Sequence, residues 1–166
     1  MLEDLNHFQK QGQQFWIVVL VSGNGSNLQA LINNCIENHI AGNIVGVICN
    51  DPNAFAIKRA ENHSIPCEII DHKEFLSREE FDQRVLDSLI KMQPDLIVLA
   101  GFMRILTNII IDRFENKIIN IHPSLLPKYP GLDTHQKVIE NNDKFHGVTI
   151  HLSLIHIWRC RRDYRC

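Results

Sequence analysis

Apolar residues along this chain follow two different periods. Residues 15–21 (Phe-Trp-Ile-Val-Val-Leu-Val) form an unbroken apolar run of strand length, and residues 44–49 and 95–100 repeat the pattern. Runs of this kind fit parallel strands covered on both faces. Residues 66–70 and 117–120 read as two shorter strands. Between the runs the period lengthens. Leu28, Leu31, Ile32, Cys35 and Ile36 recur at helical spacing, residues 54–61 make a short helix, and Ser77-Arg-Glu-Glu80 is a capping-box pattern. The helix it opens is predicted to carry Phe81, Val85, Leu86, Leu89 and Ile90 on one face. Strands alternating with helices predict an α/β fold, a Rossmann-like, doubly wound, mostly parallel sheet with right-handed crossovers.

The 166 residues suit one domain with enough chain for a real core. No internal repeat, linker or low-complexity tract interrupts them. Residues 1–15 open polar and mixed in charge, and read as an N-terminal leader rather than a signal peptide. At the other end the order breaks. Residues 152–166 lose any period and concentrate arginine and cysteine. Leu152-Ser-Leu-Ile-His-Ile-Trp-Arg-Cys-Arg-Arg162 resembles the translation of a transposon-end sequencing adapter. The expectation is a domain over residues 16–151 followed by a non-native tail over 152–166.

Composition narrows the partners. A net charge of −2 and a hydrophobic share of 45% are ordinary for a globular chain. They offer no broad basic surface for nucleic acid. No apolar run reaches the roughly 18–20 residues of a membrane span. Cys35, Cys49 and Cys67 lack metal-ligand spacing and read as small buried hydrophobes of a reducing, cytoplasmic protein. His135, His146 and His151 make no recognisable zinc set, so no metal is expected. Monomer and homodimer both stay open.

Three stretches carry candidate chemistry. In Asn120-Ile-His-Pro-Ser-Leu-Leu-Pro-Lys-Tyr-Pro-Gly131, Asn120 and His122 stand two apart on extended chain and so share a side. The amide can donate to a developing oxyanion, and the imidazole can move a proton. Pro123, Pro127 and Pro130 stiffen the loop that follows. In Gly23-Asn-Gly-Ser-Asn27, glycine permits positive φ, and the helix that follows offers unpaired N–H groups suited to phosphate. A plain tight turn capped by Ser26 or Asn27 fits the same residues. Leu28 also stands where the dinucleotide fingerprint has its third glycine. Residues 100–106 leave the carboxyl end of a strand, the edge at which open α/β sheets bind ligands. Simple packing of Phe102, Met103, Ile105 and Leu106 is the alternative there.

In this order, residues 17–28, 95–106 and 120–131 resemble the folate-dependent formyltransferases, and the resemblance runs from about residue 16 to residue 151. Lys128-Tyr-Pro-Gly131 and Gly23-Asn-Gly-Ser-Asn27 are similar to the branch that acts on 5'-phosphoribosylglycinamide in purine biosynthesis. The resemblance implies a transferase that moves the formyl group of its co-substrate, 10-formyltetrahydrofolate, to the glycinamide amine by direct attack, without metal. It assigns oxyanion stabilisation to Asn120 and proton transfer to His122. Gly25, Ser26 and Asn27 fall to the ribose phosphate. Arg78, Met103, Arg104, Ile105, Leu106 and Asn120 fall to the folate. His146-Gly-Val-Thr-Ile-His151 matches a strand leading toward the site, with His146 helping to shape it.

One departure stands out. The family's third catalytic group is an aspartate in an Asp-Glu-Leu-Asp-Gly-Gly type loop, where it sets the charge of the catalytic histidine. By spacing it would fall near Trp158, and no such loop occurs. The expectation is therefore a C-terminally truncated chain, incomplete in its fold and with little transferase turnover. Two other readings stay open. One is a different 10-formyltetrahydrofolate enzyme, a methionyl-tRNA formyltransferase or a formyltetrahydrofolate hydrolase. The other is a non-catalytic folate- or nucleotide-binding module.

Overall fold

The continuous apolar runs become buried parallel strands in the computed structural model, which describes residues 14–131 and 133–152. The strands are β1 (Phe15–Val21), β2 (Gly42–Cys49), β3 (Cys67–Ile69), β4 (Leu96–Leu99), β5 (Ile118–His122) and β6 (Thr149–Leu152). They form one sheet in the order β3-β2-β1-β4-β5-β6. Every pairing among β1 to β5 is parallel, and β6 runs antiparallel to β5. The helices are α1 (Ser26–Ile36), α2 (Phe55–Asn62), α3 (Arg78–Met92), α4 (Asn108–Arg113) and α5 (Thr134–Glu140). The chain winds from β1 out to β3, returns to β4 on the other side of β1, and continues outward. The strand order therefore reverses between β1 and β4, where open α/β sheets form their binding crevice.

Successive strand residues point to opposite faces, so a strand covered on both sides must be apolar throughout. Val18, Leu20, Ile97 and Leu99 pack with Phe81, Val85 and Leu89 of α3 and Ile110 of α4. Ile17, Val19, Val21 and Val98 pack on the other face with Leu28 and Ile32 of α1 and Ala56 and Ala60 of α2.

The predicted face of α3 needs correcting. Phe81, Val85, Leu86 and Leu89 are buried, but Ile90 is 43% exposed, and Asp82 and Ser88 take buried places. Ile90 lies ~100° around the helix from Leu89, past the edge of the covered stripe. Ser88 is accommodated because its hydroxyl bonds Arg84. Ile36, predicted on the apolar stripe of α1, ends that helix exposed. The capping box forms in part: Glu80 N–H donates to Ser77 Oγ, while the Glu80 carboxylate accepts from Leu76 N–H, one residue before the cap. The proposed leader and tail lie outside the described residues, apart from Gln14, Phe15 and Leu152. No helix among the described residues is long and apolar enough to cross a membrane.

Candidate active site

Connections leaving the carboxyl ends of β1, β4 and β5 build the site. The first two are tied together directly. Ala100 N–H donates to Leu20 O at 2.9 Å, and Met103 N–H donates to Ser22 Oγ at 2.7 Å. The glycine-rich turn and the loop after β4 thus share one edge of the sheet.

Gly25 occupies the cap position of α1 with φ +74°. A Cβ there would stand 2.7 Å from Ala56 Cβ and 2.9 Å from Ala56 Cα, so both conformation and space demand glycine. No side chain caps this helix, contrary to the plain capped-turn reading of Ser26 or Asn27. The first helical bond is Gln29 N–H to Gly25 O. The N–H groups of Ser26, Asn27 and Leu28 precede it and carry the partial positive charge of a helix start. Arg59 of α2 braces the turn. Its Nε donates to Asn24 O at 2.9 Å, and its Nη2 donates to Asn24 Oδ1 at 3.0 Å. Sequence reasoning missed Arg59. The only signal was a basic residue late in the helix over residues 54–61.

The loop after β4 spans residues 100–107. Met103 is exposed, and the Leu106 side chain is buried. Among the described residues, the main-chain N–H and C=O groups of Arg104, Ile105 and Leu106 form no hydrogen bond. The Arg104 guanidinium lies 5.3 Å from the centroid of the Phe81 ring, and its buried Nε finds no hydrogen-bond partner among the described residues. The loop ends where Thr107 N–H donates to the Asp82 carboxylate. Burial pushes the Asp82 carboxyl above the usual range, opposed by that N–H and by the charges of Arg78 and Arg104. Arg78 is exposed at the first position of α3.

Asn120 and His122 end β5. Register pairs Asn120 with His151 and His122 with Thr149 on β6. Asn120 Nδ2 lies 3.2 Å from His151 Nε2. An amide nitrogen only donates, so that ring nitrogen accepts. His122 is buried, and its Nε2 lies 3.1 Å from Tyr129 O. A carbonyl only accepts, so Nε2 carries the proton and, in the neutral ring, Nδ1 carries the lone pair. His151 had no role in the sequence reading beyond its place on a strand. Only the antiparallel register reveals it.

The loop that holds Tyr129 O is pinned from several sides. Ser124 is fully buried, with its hydroxyl directed at Lys128 O (2.7 Å) and Tyr129 O (3.1 Å). Thr149 Oγ donates to Ser124 O and accepts from Leu126 N–H. Tyr129, in the left-handed region at φ +54°, donates from its hydroxyl to Asp143 at 2.8 Å. Lys128 Nζ meets the same carboxylate at 3.0 Å. The Lys128 and Tyr129 hydrogen bonds hold the Asp143 carboxyl below its ordinary range. His146 is exposed and makes its ring contact with His135, at 4.5 Å, rather than with Asn120 or His122.

The arrangement sets a directed amide and a buried imidazole of fixed tautomer at the end of one strand. An uncapped helix start and a loop with free main-chain groups occupy the same edge of the sheet. Such a set can bind an anion, hold a planar heterocycle by its edge, and run proton-coupled acyl chemistry.

The formyl transferase family model matches residues 16–153. The phosphoribosylglycinamide formyltransferase of Escherichia coli strain K12 is 46% identical over 135 residues, covering 81% of this chain and 64% of that protein. Its Haemophilus influenzae counterpart is 47% identical over 135 residues, with the same coverage. The solved Coxiella burnetii phosphoribosylglycinamide formyltransferase superposes with a TM-score of 0.80 at 45% identity, over 85% of this chain and 66% of that one. Glycinamide ribonucleotide transformylase 1 of Symbiobacterium toebii gives 0.83 at 37% identity, over 86% and 68%. The chain thus spans a little under two thirds of the length of these two curated relatives.

Proposed function

The chain belongs to the formyl transferase family, and from that premise we propose that it serves transfer of a formyl group from 10-formyltetrahydrofolate to the amine of 5'-phosphoribosylglycinamide. The observation that carries this reading is the end of β5, where a directed Asn120 amide stands two residues from buried His122. Relatives at 46% and 47% identity named for this reaction support the choice of substrate.

The residues divide the work as follows. The N–H groups of Ser26 and Asn27, opened by Gly25, receive the ribose phosphate. The free main-chain groups of Arg104, Ile105 and Leu106 meet the polar edge of the pterin, with exposed Met103 beside them and Arg78 toward the folate's carboxylates. The glycinamide amine attacks the formyl carbon, forming a C–N bond and placing negative charge on the formyl oxygen. Asn120 Nδ2 has two hydrogens. One is directed at His151, and the other is available to that oxyanion. His122 takes a proton from the attacking nitrogen at Nδ1 and returns it to N10 of the folate as the C–N10 bond breaks. No metal enters this sequence of steps. The reading places the reaction in the cytoplasm, on a monomer or homodimer.

The test is a single-turnover assay at excess protein, which registers slow transfer. The protein is mixed with 10-formyltetrahydrofolate and 5'-phosphoribosylglycinamide, and the formylated ribonucleotide is followed by mass spectrometry. Product should form, and His122→Ala should reduce its rate by roughly a hundredfold or more. Release of free formate instead, or formylation of methionyl-tRNA in preference to the ribonucleotide, would move the chain to another branch of the family. Tight folate binding without transfer would make it a binding module.

A further inference from the structure

Three tethers fix the loop over residues 100–107, and they come from different parts of the chain. Ala100 is held by the main chain of β1, Met103 by Ser22, and Thr107 by Asp82. Between the last two tethers lie Arg104, Ile105 and Leu106, whose main-chain groups have no protein partner among the described residues. Groups of that kind bind a heterocycle well only if the loop already holds them at the right spacing.

Asp82 is unusual among these tethers. Its side chain is completely buried, among Phe81, Val85, Leu86, Ser88 and Leu89 of the same helix. One carboxylate oxygen accepts the Thr107 N–H, and the other has no hydrogen-bond partner among the described residues. The nearby cations are Arg104, which belongs to the loop, and Arg78, which starts the same helix. A buried carboxylate is unfavourable unless it is bonded and charge-compensated. Leucine would pack this helix face without that penalty, so packing alone does not account for aspartate. We propose that Asp82 is a positioning residue of the folate subsite. It holds the Thr107 end of the loop, so that the main-chain groups of residues 104–106 stay aligned for the pterin. This rests on the folate reading above.

The experiment compares the full chain with Asp82→Ala and Asp82→Asn by three measurements. These are binding of 5-formyltetrahydrofolate, binding of 5'-phosphoribosylglycinamide, and amide hydrogen exchange across residues 100–107. Asp82→Ala should weaken folate binding by roughly tenfold, leave ribonucleotide binding within about twofold, and speed exchange at Thr107, whose N–H loses its acceptor. Asn retains an acceptor for the Thr107 N–H, so Asp82→Asn should restore slow exchange and most of the affinity. Equal loss of both ligands would show a merely structural role and overturn the proposal, as would unchanged folate binding in Asp82→Ala. If the unmodified chain binds no folate, the folate reading fails on its own. The exchange data then decide whether Asp82 orders the loop: faster exchange confined to it supports the positioning role, and unchanged exchange removes it.

Discussion

Asn120 and His151 face each other across the only antiparallel pairing among the described strands, with Asn120 Nδ2 3.2 Å from His151 Nε2. The contact fixes which way the amide points. Its nitrogen faces His151, and in the proposed reaction its remaining N–H, rather than its oxygen, serves the developing negative charge. His151→Ala removes the acceptor and lets the amide rotate. The expected result is a roughly tenfold fall in the single-turnover transfer rate. Folate and ribonucleotide affinities should stay nearly unchanged, because the oxyanion exists only after attack. Loss of affinity with an unchanged rate would remove His151 from this role.

Gly25 tests the phosphate end of the site. Alanine there must adopt a left-handed backbone and place its Cβ 2.7 Å from Ala56 Cβ and 2.9 Å from main-chain Ala56 Cα. The left-handed conformation costs about 1–2 kcal/mol, and overpacking adds about 1–3 kcal/mol. Gly25→Ala should lower unfolding stability by about 2–5 kcal/mol in urea and abolish measurable ribonucleotide binding. Gly23 is the control, since a Cβ at that position meets nothing within 4 Å. Gly23→Ala should change stability by less than about 1 kcal/mol.

The sequence made some of this legible and hid the rest, for reasons that can be named. A strand buried on two faces must be apolar at every position, so β1, β2 and β4 announce themselves. The Ser77–Glu80 box works over four residues and needs no tertiary context. The buried face of α3 was read too simply. Sequence hydrophobicity favours Ile90 over Asp82, but Asp82 has a main-chain donor waiting on a loop 25 residues away. Candidate site residues were found through motifs on single connections. Residues that act across connections escaped: Arg59 on the glycine-rich turn, Asp82 on the β4 loop and His151 on Asn120. Each depends on strand order or register, which local patterns do not encode. The pairing of His146 with His135 is equally non-local.

Arg59 gives that lesson an experimental form. Its guanidinium holds both the main-chain carbonyl and the side chain of Asn24, and stands 4.9 Å from the Phe55 ring centroid. Two donors in a fixed fork make this clasp, which a lysine ammonium cannot reproduce. Arg59→Lys and Arg59→Ala should both weaken ribonucleotide binding by roughly three- to tenfold, with folate affinity unchanged. Full rescue by lysine would show that charge near the phosphate matters and the clasp does not.

The tether at Asp143 makes a statement about pH. The carboxyl is held below its ordinary value of 3.8, first by the Lys128 hydrogen bond and then by that of Tyr129. A depressed carboxyl contributes stability that is present above its unfolded pKa and lost as pH falls through the lower folded value. The Lys128 and Tyr129 groups are shifted upward from 10.5 and 10.0, in both cases chiefly by their hydrogen bonds to Asp143. Their contribution is present below those unfolded values and lost as pH rises through the higher folded ones. The tether is therefore complete between about pH 4 and pH 10 and opens on both sides. Tyr129 O is the carbonyl that receives His122 Nε2–H, so the Asp143 tether is one of the braces on the loop that holds the histidine. Amide exchange at Ser124, Leu126 and Lys128, whose N–H groups are hydrogen-bonded, should be slow and flat over that window in the unmodified protein and should accelerate below pH 4, after correction for intrinsic rates. Asp143→Asn should exchange faster throughout the window and lose the acid step. Persistence of the acid step in Asp143→Asn would place its origin in another carboxylate.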